Sequence, residues 1–196
     1  MARGSGLRAL RVGIFGGTFN PIHVGHLLLA ETAREQLALD RVVFIPTARP
    51  PHKRARDLVP GAARLRLIEL AIRHHPAFAV SDVELHRQGP SYTLDTVRML
   101  HARLPEAALF LLIGEDMLAV RWLGWDELKR LCTIVAARRP GTKPSRSSRG
   151  VRWLSMPQVE VASSDIRARL KAGRSIRYLV PAAVERHIRQ HNLYQK

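Results

Sequence analysis

Apolar positions along this chain switch repeatedly between two periods. Leu10, Val12, Ile14 and Phe15 form a β-branched and aromatic run that predicts a first buried strand. Leu27, Leu28, Ala30, Ala33 and Leu37 then recur at helical spacing. The alternation continues without a detectable internal repeat. Residues 41–46 read as a second strand, 61–74 as a helix, 77–81 as a third strand, 92–104 as a helix and 108–114 as a fourth strand, with Thr133 to Ala137 extended again. Strands alternating with helices predict an α/β fold, a doubly wound parallel sheet covered by helices on both faces. Ligands in such sheets bind beyond the carboxyl ends of the strands, where strand order reverses. The chemically interesting residues fall at those ends: Gly16 and Gly17 after the first strand, Lys53 after the second, Tyr92 and Thr93 after the third, and Gly114, Glu115 and Asp116 after the fourth.

Composition narrows the picture to one modest domain. With 196 residues, 46% of them hydrophobic, the chain can bury a sizeable core. We place that domain at residues 10–194, after a disordered tail over 1–9, with a C-terminal helical part over 163–194. No apolar stretch approaches the roughly 18 residues that would span a bilayer, so no membrane partner is expected. Cys132 is the only cysteine, which rules out an intrachain disulfide and suits a reducing cytoplasm. Its place before the Thr133–Ala137 run reads as a small buried hydrophobe.

The formal net charge of +16 asks for an anionic partner. Arg138, Arg139, Lys143, Arg146, Arg149 and Arg152 crowd a Pro/Gly/Ser-rich segment, 138–152, that reads as a basic surface loop able to close over a phosphate. It holds no aromatic residue to stack on bases before Trp153, so a platform for single-stranded nucleic acid is not supported and no specific nucleic-acid partner is expected.

The stretch from Gly16 to His26, G-G-T-F-N-P-I-H-V-G-H, lies between the first strand and the first helix. Glycines let the backbone approach a ligand closely, and the N–H groups and positive dipole end of the first helical turn favour an anion. His23 and His26 are spaced to face one ligand from that turn and to donate to phosphate oxygens, with Gly25 leaving room for a flat base. The glycine spacing matches neither G-x-x-x-x-G-K-[ST] nor G-x-G-x-x-G. The combination resembles instead the H-x-G-H nucleotidyltransferase branch of the Rossmann-like superfamily. That resemblance implies binding of a nucleoside triphosphate and attack at its α-phosphate.

Further blocks extend the likeness. Pro50-Pro51-His52-Lys53, Gly89-Pro90-Ser91-Tyr92-Thr93, Gly114-Glu115-Asp116, Trp122-Leu123-Gly124-Trp125, Arg139-Pro140-Gly141, Ala162-Ser163-Ser164-Asp165-Ile166-Arg167 and Leu179-Val180-Pro181 together resemble the bacterial nicotinate-nucleotide adenylyltransferase family from about residue 10 to 194. The resemblance implies transfer of the adenylyl group of ATP to nicotinate mononucleotide, giving nicotinate adenine dinucleotide and pyrophosphate in NAD biosynthesis, with Mg²⁺ accompanying ATP. It implies catalytic roles for His23, His26, Lys53 and Arg167. ATP would be held by these four together with Gly16, Gly17, Thr18, Phe19, Ser163 and Ser164. Tyr92, Thr93, Asp116 and one of Trp122 or Trp125 would hold the mononucleotide. No protein metal cage is implied, and a homo-oligomer is compatible with the sequence. Ser163 and Ser164 are also candidates to cap a helix entered at Asp165.

Four positions depart from the family pattern. Asn20 stands where aspartate is frequent, Ala162 and Ser164 stand where Ser and Thr are usual, and Glu115 replaces a small residue and brings a negative charge towards an anion site unless its side chain turns away. Two other classes fit the residues less well. Class I aminoacyl-tRNA synthetases use a related H-x-G-H, but neither a K-M-S-K-S-like loop nor an anticodon-binding domain is visible. A non-catalytic nucleotide sensor would keep the glycines without needing Lys53 and Arg167 together. His74, His75, His86, His101, His187 and His191 show no companion pattern and read as surface or helix residues.

Overall fold

A computed structural model describes residues 8–50, 58–138 and 149–195. Among these, six parallel strands form one sheet in the order β3-β2-β1-β4-β5-β6. They are β1 (Arg11–Gly17), β2 (Arg41–Pro46), β3 (Phe78–Val80), β4 (Ala108–Gly114), β5 (Thr133–Ala137) and β6 (Arg152–Leu154). The helices are α1 (Val24–Gln36), α2 (Gly61–Ile72), α3 (Thr93–Arg103), α4 (Trp125–Leu131), α5 (Ser163–Lys171) and α6 (Ala182–Gln190). Strand order reverses between β1 and β4, the point at which doubly wound sheets open a crevice.

The two faces of the sheet follow from the period of two along each strand. On β4, Phe110 and Leu112 point into one apolar cluster while Leu109, Leu111 and Ile113 point into the other. The first cluster is closed by α1, α2, α5 and α6 through Ala30, Ala33, Ile68, Ile166, Leu170, Val184 and Ile188. The second is closed by α3 and α4 through Leu94, Val97 and Leu128. Burial on both faces explains why β2 and β4 are near-continuous apolar runs rather than alternating ones.

The boundaries differ from the sequence reading in informative places. β1 runs on to Gly17, because Gly16 and Gly17 still pair with Ile45 and Pro46 on β2, so the glycine pair ends the strand instead of following it. β6, the edge strand, was not among the expected strands. Arg152, the last residue of the expected basic loop, begins it, and the Arg138 guanidinium lies 5.0 Å over the Trp153 ring. His75 does have companions: its Nε2 lies 2.9 Å from a Glu31 carboxylate oxygen and its ring stacks on Phe78 at 3.7 Å, tying α1 to the turn after α2. Cys132 is buried, as its neighbours suggested.

Candidate active site

The corner between β1 and α1 is built from the sequence outwards. Among the described residues, Gly16 has nothing within 4 Å of the position a Cβ would take. Gly17 differs, since a Cβ there would meet the Phe19 ring at 3.1 to 3.3 Å. Phe19 is 1% exposed and takes a left-handed φ of 44°, unusual for a bulky residue, which turns the chain sharply after the strand. Its ring is wedged edge-on against Phe15 and His26. The Asn20–Pro21 peptide is cis, and His23 caps α1.

His23 and His26 stack with ring centroids 3.7 Å apart. The His23 backbone N–H donates to His26 Nδ1 at 3.2 Å, closing the helix start from within. A ring nitrogen that accepts from an N–H carries no proton of its own, so the His26 proton sits on Nε2 and that nitrogen is a donor. Gly25 does not keep an empty slot in its Cβ direction: Val161 Cγ1 lies 3.0 Å and the His23 ring 3.2 Å from that position. The room expected there is taken by protein.

The loop 18–21 is held from below by groups far away in sequence. Arg167 Nη1 donates to the Asn20 carbonyl at 2.9 Å, and Ser163 Oγ donates to the Pro21 carbonyl at 2.9 Å. The structure therefore brings Ser163 and Arg167 to the glycine–histidine corner. It corrects the capping assignment. α5 begins at Ser163, its N-cap is Ala162, and no side chain makes a cap hydrogen bond. Because the helix starts two residues before Asp165, Ser163 is already in its first turn and spends its hydroxyl on Pro21. Ser164, exposed, reaches only Asp165 Oδ1 at 3.3 Å. The serine that this position usually carries is thus missing at the N-cap itself.

Arg64 was not expected in the site. It is 1% exposed on α2, with Nη1 on the Thr18 carbonyl at 2.8 Å and Nε on the Val59 carbonyl at 3.0 Å. Asn20 Oδ1 accepts from the Val59 N–H at 3.3 Å, so the two segments are laced together. The helical phase carried the signal: Arg64 shares the buried stripe of α2 with Leu67, Ile68 and Ile72.

Across the crevice, Tyr92 caps α3 and Thr93 opens it, which leaves first-turn N–H groups at the carboxyl edge of the sheet. Ser91 ties this entry to the end of β2. Its Oγ accepts from the Ala48 and Arg49 N–H groups at 3.2 and 3.3 Å, and its own N–H donates to the Arg49 carbonyl. Below lies Glu84, 3% exposed, whose Oε1 accepts from Thr96 Oγ1 at 2.8 Å. Burial pushes its carboxyl pKa upward, opposed by the Thr96 hydroxyl and the Arg87 guanidinium.

After β4, a tight turn exposes Asp116 and buries Glu115, so the uncomfortable charge at 115 is the one drawn into the protein. The Asp116 carboxylate leans back over Gly114, 2.5 Å from where a Cβ would stand. Trp122 donates its indole N–H to the Met117 carbonyl at 2.7 Å and lies 5.6 Å from Trp125, both half-buried. Lys53, with Pro51 and His52, lies outside the described residues, as do Arg139, Pro140 and Gly141.

This parallel sheet, with paired histidines opening α1 beside the crevice, is the frame of a nucleotidyltransferase. The sequence profile of the cytidylyltransferase-like family matches residues 14–169, and the chain belongs to that family. Within it, the chain is a member of the nicotinate-nucleotide adenylyltransferases. A Thermus thermophilus protein of that name is 45% identical over 95% of this chain and 100% of its own length. A Shouchella clausii protein of that name is 45% identical over 94% of this chain and 96% of its own. Among solved structures, a Plasmodium falciparum nicotinic acid mononucleotide adenylyltransferase complexed with NaAD superposes with a TM-score of 0.80 at 16% identity, covering 94% of this chain and 97% of that one. At that identity it speaks for the fold.

Proposed function

We propose that the protein transfers the adenylyl group of ATP to nicotinate mononucleotide, releasing pyrophosphate and forming nicotinate adenine dinucleotide. The observation that carries the nucleotide half is the glycine–histidine corner, with space at Gly16 that no described residue fills and a His26 ring whose Nε2 is fixed as a donor. The acceptor half is supported by the names of the full-length relatives. A phosphate oxygen of the mononucleotide attacks the α-phosphorus, a new P–O bond forms, the bond to the β-bridging oxygen breaks, and pyrophosphate leaves. The protein supplies no nucleophile. Its part is to position two anions in line and to stabilise charge on the bridging and leaving oxygens.

In this reading His23 and His26 donate to the ATP phosphates and Lys53 and Arg167 offset their charge. The Gly16–Phe19 backbone, with Ser163 and Ser164 nearby, lines their approach. Arg167 keeps guanidinium N–H groups beyond the one on Asn20. Mg²⁺ rides on the triphosphate as part of the donor substrate. The corner offers imidazole and amide N–H groups, which grip phosphate, and among the described residues no cluster of His, Cys, Asp or Glu is placed to hold a metal. Thr93 and the first-turn N–H groups of α3 suit the nicotinate carboxylate, Asp116 a ribose hydroxyl, and Trp122 or Trp125 the pyridine ring. The basic surface steers anionic substrates. A cytoplasmic setting goes with an ATP-consuming synthesis and a single buried thiol.

The test is pyrophosphate release from ATP with nicotinate mononucleotide, nicotinamide mononucleotide or phosphopantetheine. A donor-lined site leaves the amide NH₂ facing other donors, and each such mismatch costs about 1 to 3 kcal/mol, so a preference of roughly 10- to 10,000-fold for the acid is expected. Equal use of the acid and the amide would remove the carboxylate assignment. Turnover of phosphopantetheine alone would remove the acceptor.

A further inference from the structure

The geometry points to Arg64 as a positioning residue that aims a backbone N–H at a substrate phosphate. This rests on the reading above, that the Gly16–Phe19 backbone lines the phosphate site. Arg64 is buried at 1% exposure, and among the described residues it meets no carboxylate; its guanidinium is spent on two carbonyls, Thr18 at 2.8 Å and Val59 at 3.0 Å. It stands near the start of α2, where the helix dipole disfavours a cation, and burial lowers its pKa. Burying a cation without a carboxylate partner, at the helix end the dipole disfavours, carries a desolvation cost that the two carbonyl hydrogen bonds must offset. What the guanidinium supplies in that place is a hold on two backbone carbonyls.

What it holds is the orientation of one peptide. The Thr18–Phe19 bond is trans, the one cis bond among the described residues being Asn20–Pro21. In a trans peptide the C=O and N–H point in opposite directions. With the Thr18 carbonyl drawn down onto Arg64, the Phe19 N–H faces the other way, and among the described residues no acceptor takes it. The left-handed φ of 44° at Phe19 is the strained turn that this orientation requires, and successive N–H groups around such a turn make an anion-binding concavity. Arg64 therefore acts through Thr18. Its planar fork fixes two carbonyls at once, which a lysine ammonium does less well.

The experiment reads that N–H directly. Thr-Phe occurs once in the sequence, so labelling with ¹³C-carbonyl threonine and ¹⁵N-phenylalanine isolates the Phe19 amide in the intact chain. Titrating the wild-type protein with ATP alone and with nicotinate mononucleotide alone should shift this signal downfield with one of them, which identifies whose phosphate it meets. In Arg64→Lys and Arg64→Met, the affinity for that same substrate should fall about 10- to 100-fold, with the KM of the other within about twofold of wild type. Arg64→Lys should lose less than Arg64→Met. An amide that moves with neither substrate overturns the proposal. So do variants whose melting temperature falls while both affinities stay, which would make Arg64 structural only. If Arg64→Met does not fold, the wild-type titration and Arg64→Lys decide. Failure of the functional reading shows separately, as wild-type protein that releases no pyrophosphate from the two substrates.

Discussion

Gly16→Ala separates what the fold needs from what the ligand needs. Its backbone is locked into the sheet by pairing with Ile45, and among the described residues nothing lies within 4 Å of the added Cβ. An alanine fits that strand conformation without strain, so the substitution lowers the entropy of the unfolded chain and stabilises by about 0.5 to 1 kcal/mol. For a chain of this size that is a rise of about 1 to 4 °C in melting temperature. The same methyl stands in the space proposed for the ATP phosphates. If it displaces one charge-assisted backbone contact worth about 1.5 to 3 kcal/mol, kcat/KM for ATP falls roughly 10- to 150-fold. Gly17→Ala is the control, because its Cβ would press to 3.1 Å from a Phe19 ring that is itself wedged against Phe15 and His26 and has little room to give, and it should lower both melting temperature and activity. Circular-dichroism melting and pyrophosphate release on the same preparations check both arms. A Gly16→Ala protein that melts higher and turns over ATP normally would refute the placement of the ligand beside this strand end.

Three further outcomes follow from the same geometry. His26→Ala should lower kcat about 100- to 1,000-fold, as loss of an oriented electrostatic donor does, whereas His26→Asn should restore the helix start that Nδ1 closes without restoring turnover; equal kcat in wild type and His26→Ala would remove the donor role. Ala162→Ser should supply the missing cap of α5 and add about 1 kcal/mol, seen as a melting temperature about 2 to 4 °C higher, and an unchanged melt would contradict the N-cap placement. Glu84 has its folded pKa raised by burial, so its contribution to stability is full below the ordinary value of 4.5 and is lost as pH rises through the raised one; Glu84→Gln escapes that loss, and its melting temperature relative to wild type should climb with pH, a flat difference counting against a buried carboxyl.

How much of this was legible in the residues depends on whether local chemistry and burial agree. β2 and β4 match their expected spans because each is an apolar run stopped by proline or glycine. β6 escaped notice because three residues, Arg152–Leu154, carry too little periodicity beside a basic segment. The start of α5 was misplaced because Ala162 lacks the oxygen that marks a helix start, so the serines after it drew the assignment. The histidine pair and glycines were visible because their chemistry is tied to local spacing. Arg64 and Glu84 were not: the helical phase of Arg64 puts it on the apolar stripe of α2, but an arginine there is normally read as facing water, and Glu84 lies in a turn where no periodicity marks it as buried.

The grip of Ser163 on Pro21 and of Arg167 on Asn20 spans 142 and 147 residues. β1 is made first yet sits at the centre of the sheet, with β4 as its second neighbour. A nascent chain emerging from the ribosome therefore carries its glycine–histidine corner long before the segments that brace it exist. Such high contact order slows folding and leaves Val12, Ile14 and Phe15 uncovered meanwhile. Nucleotide can then help only at the end of synthesis: ATP stabilises the finished domain by mass action and gives little protection to a chain stopped before Arg167.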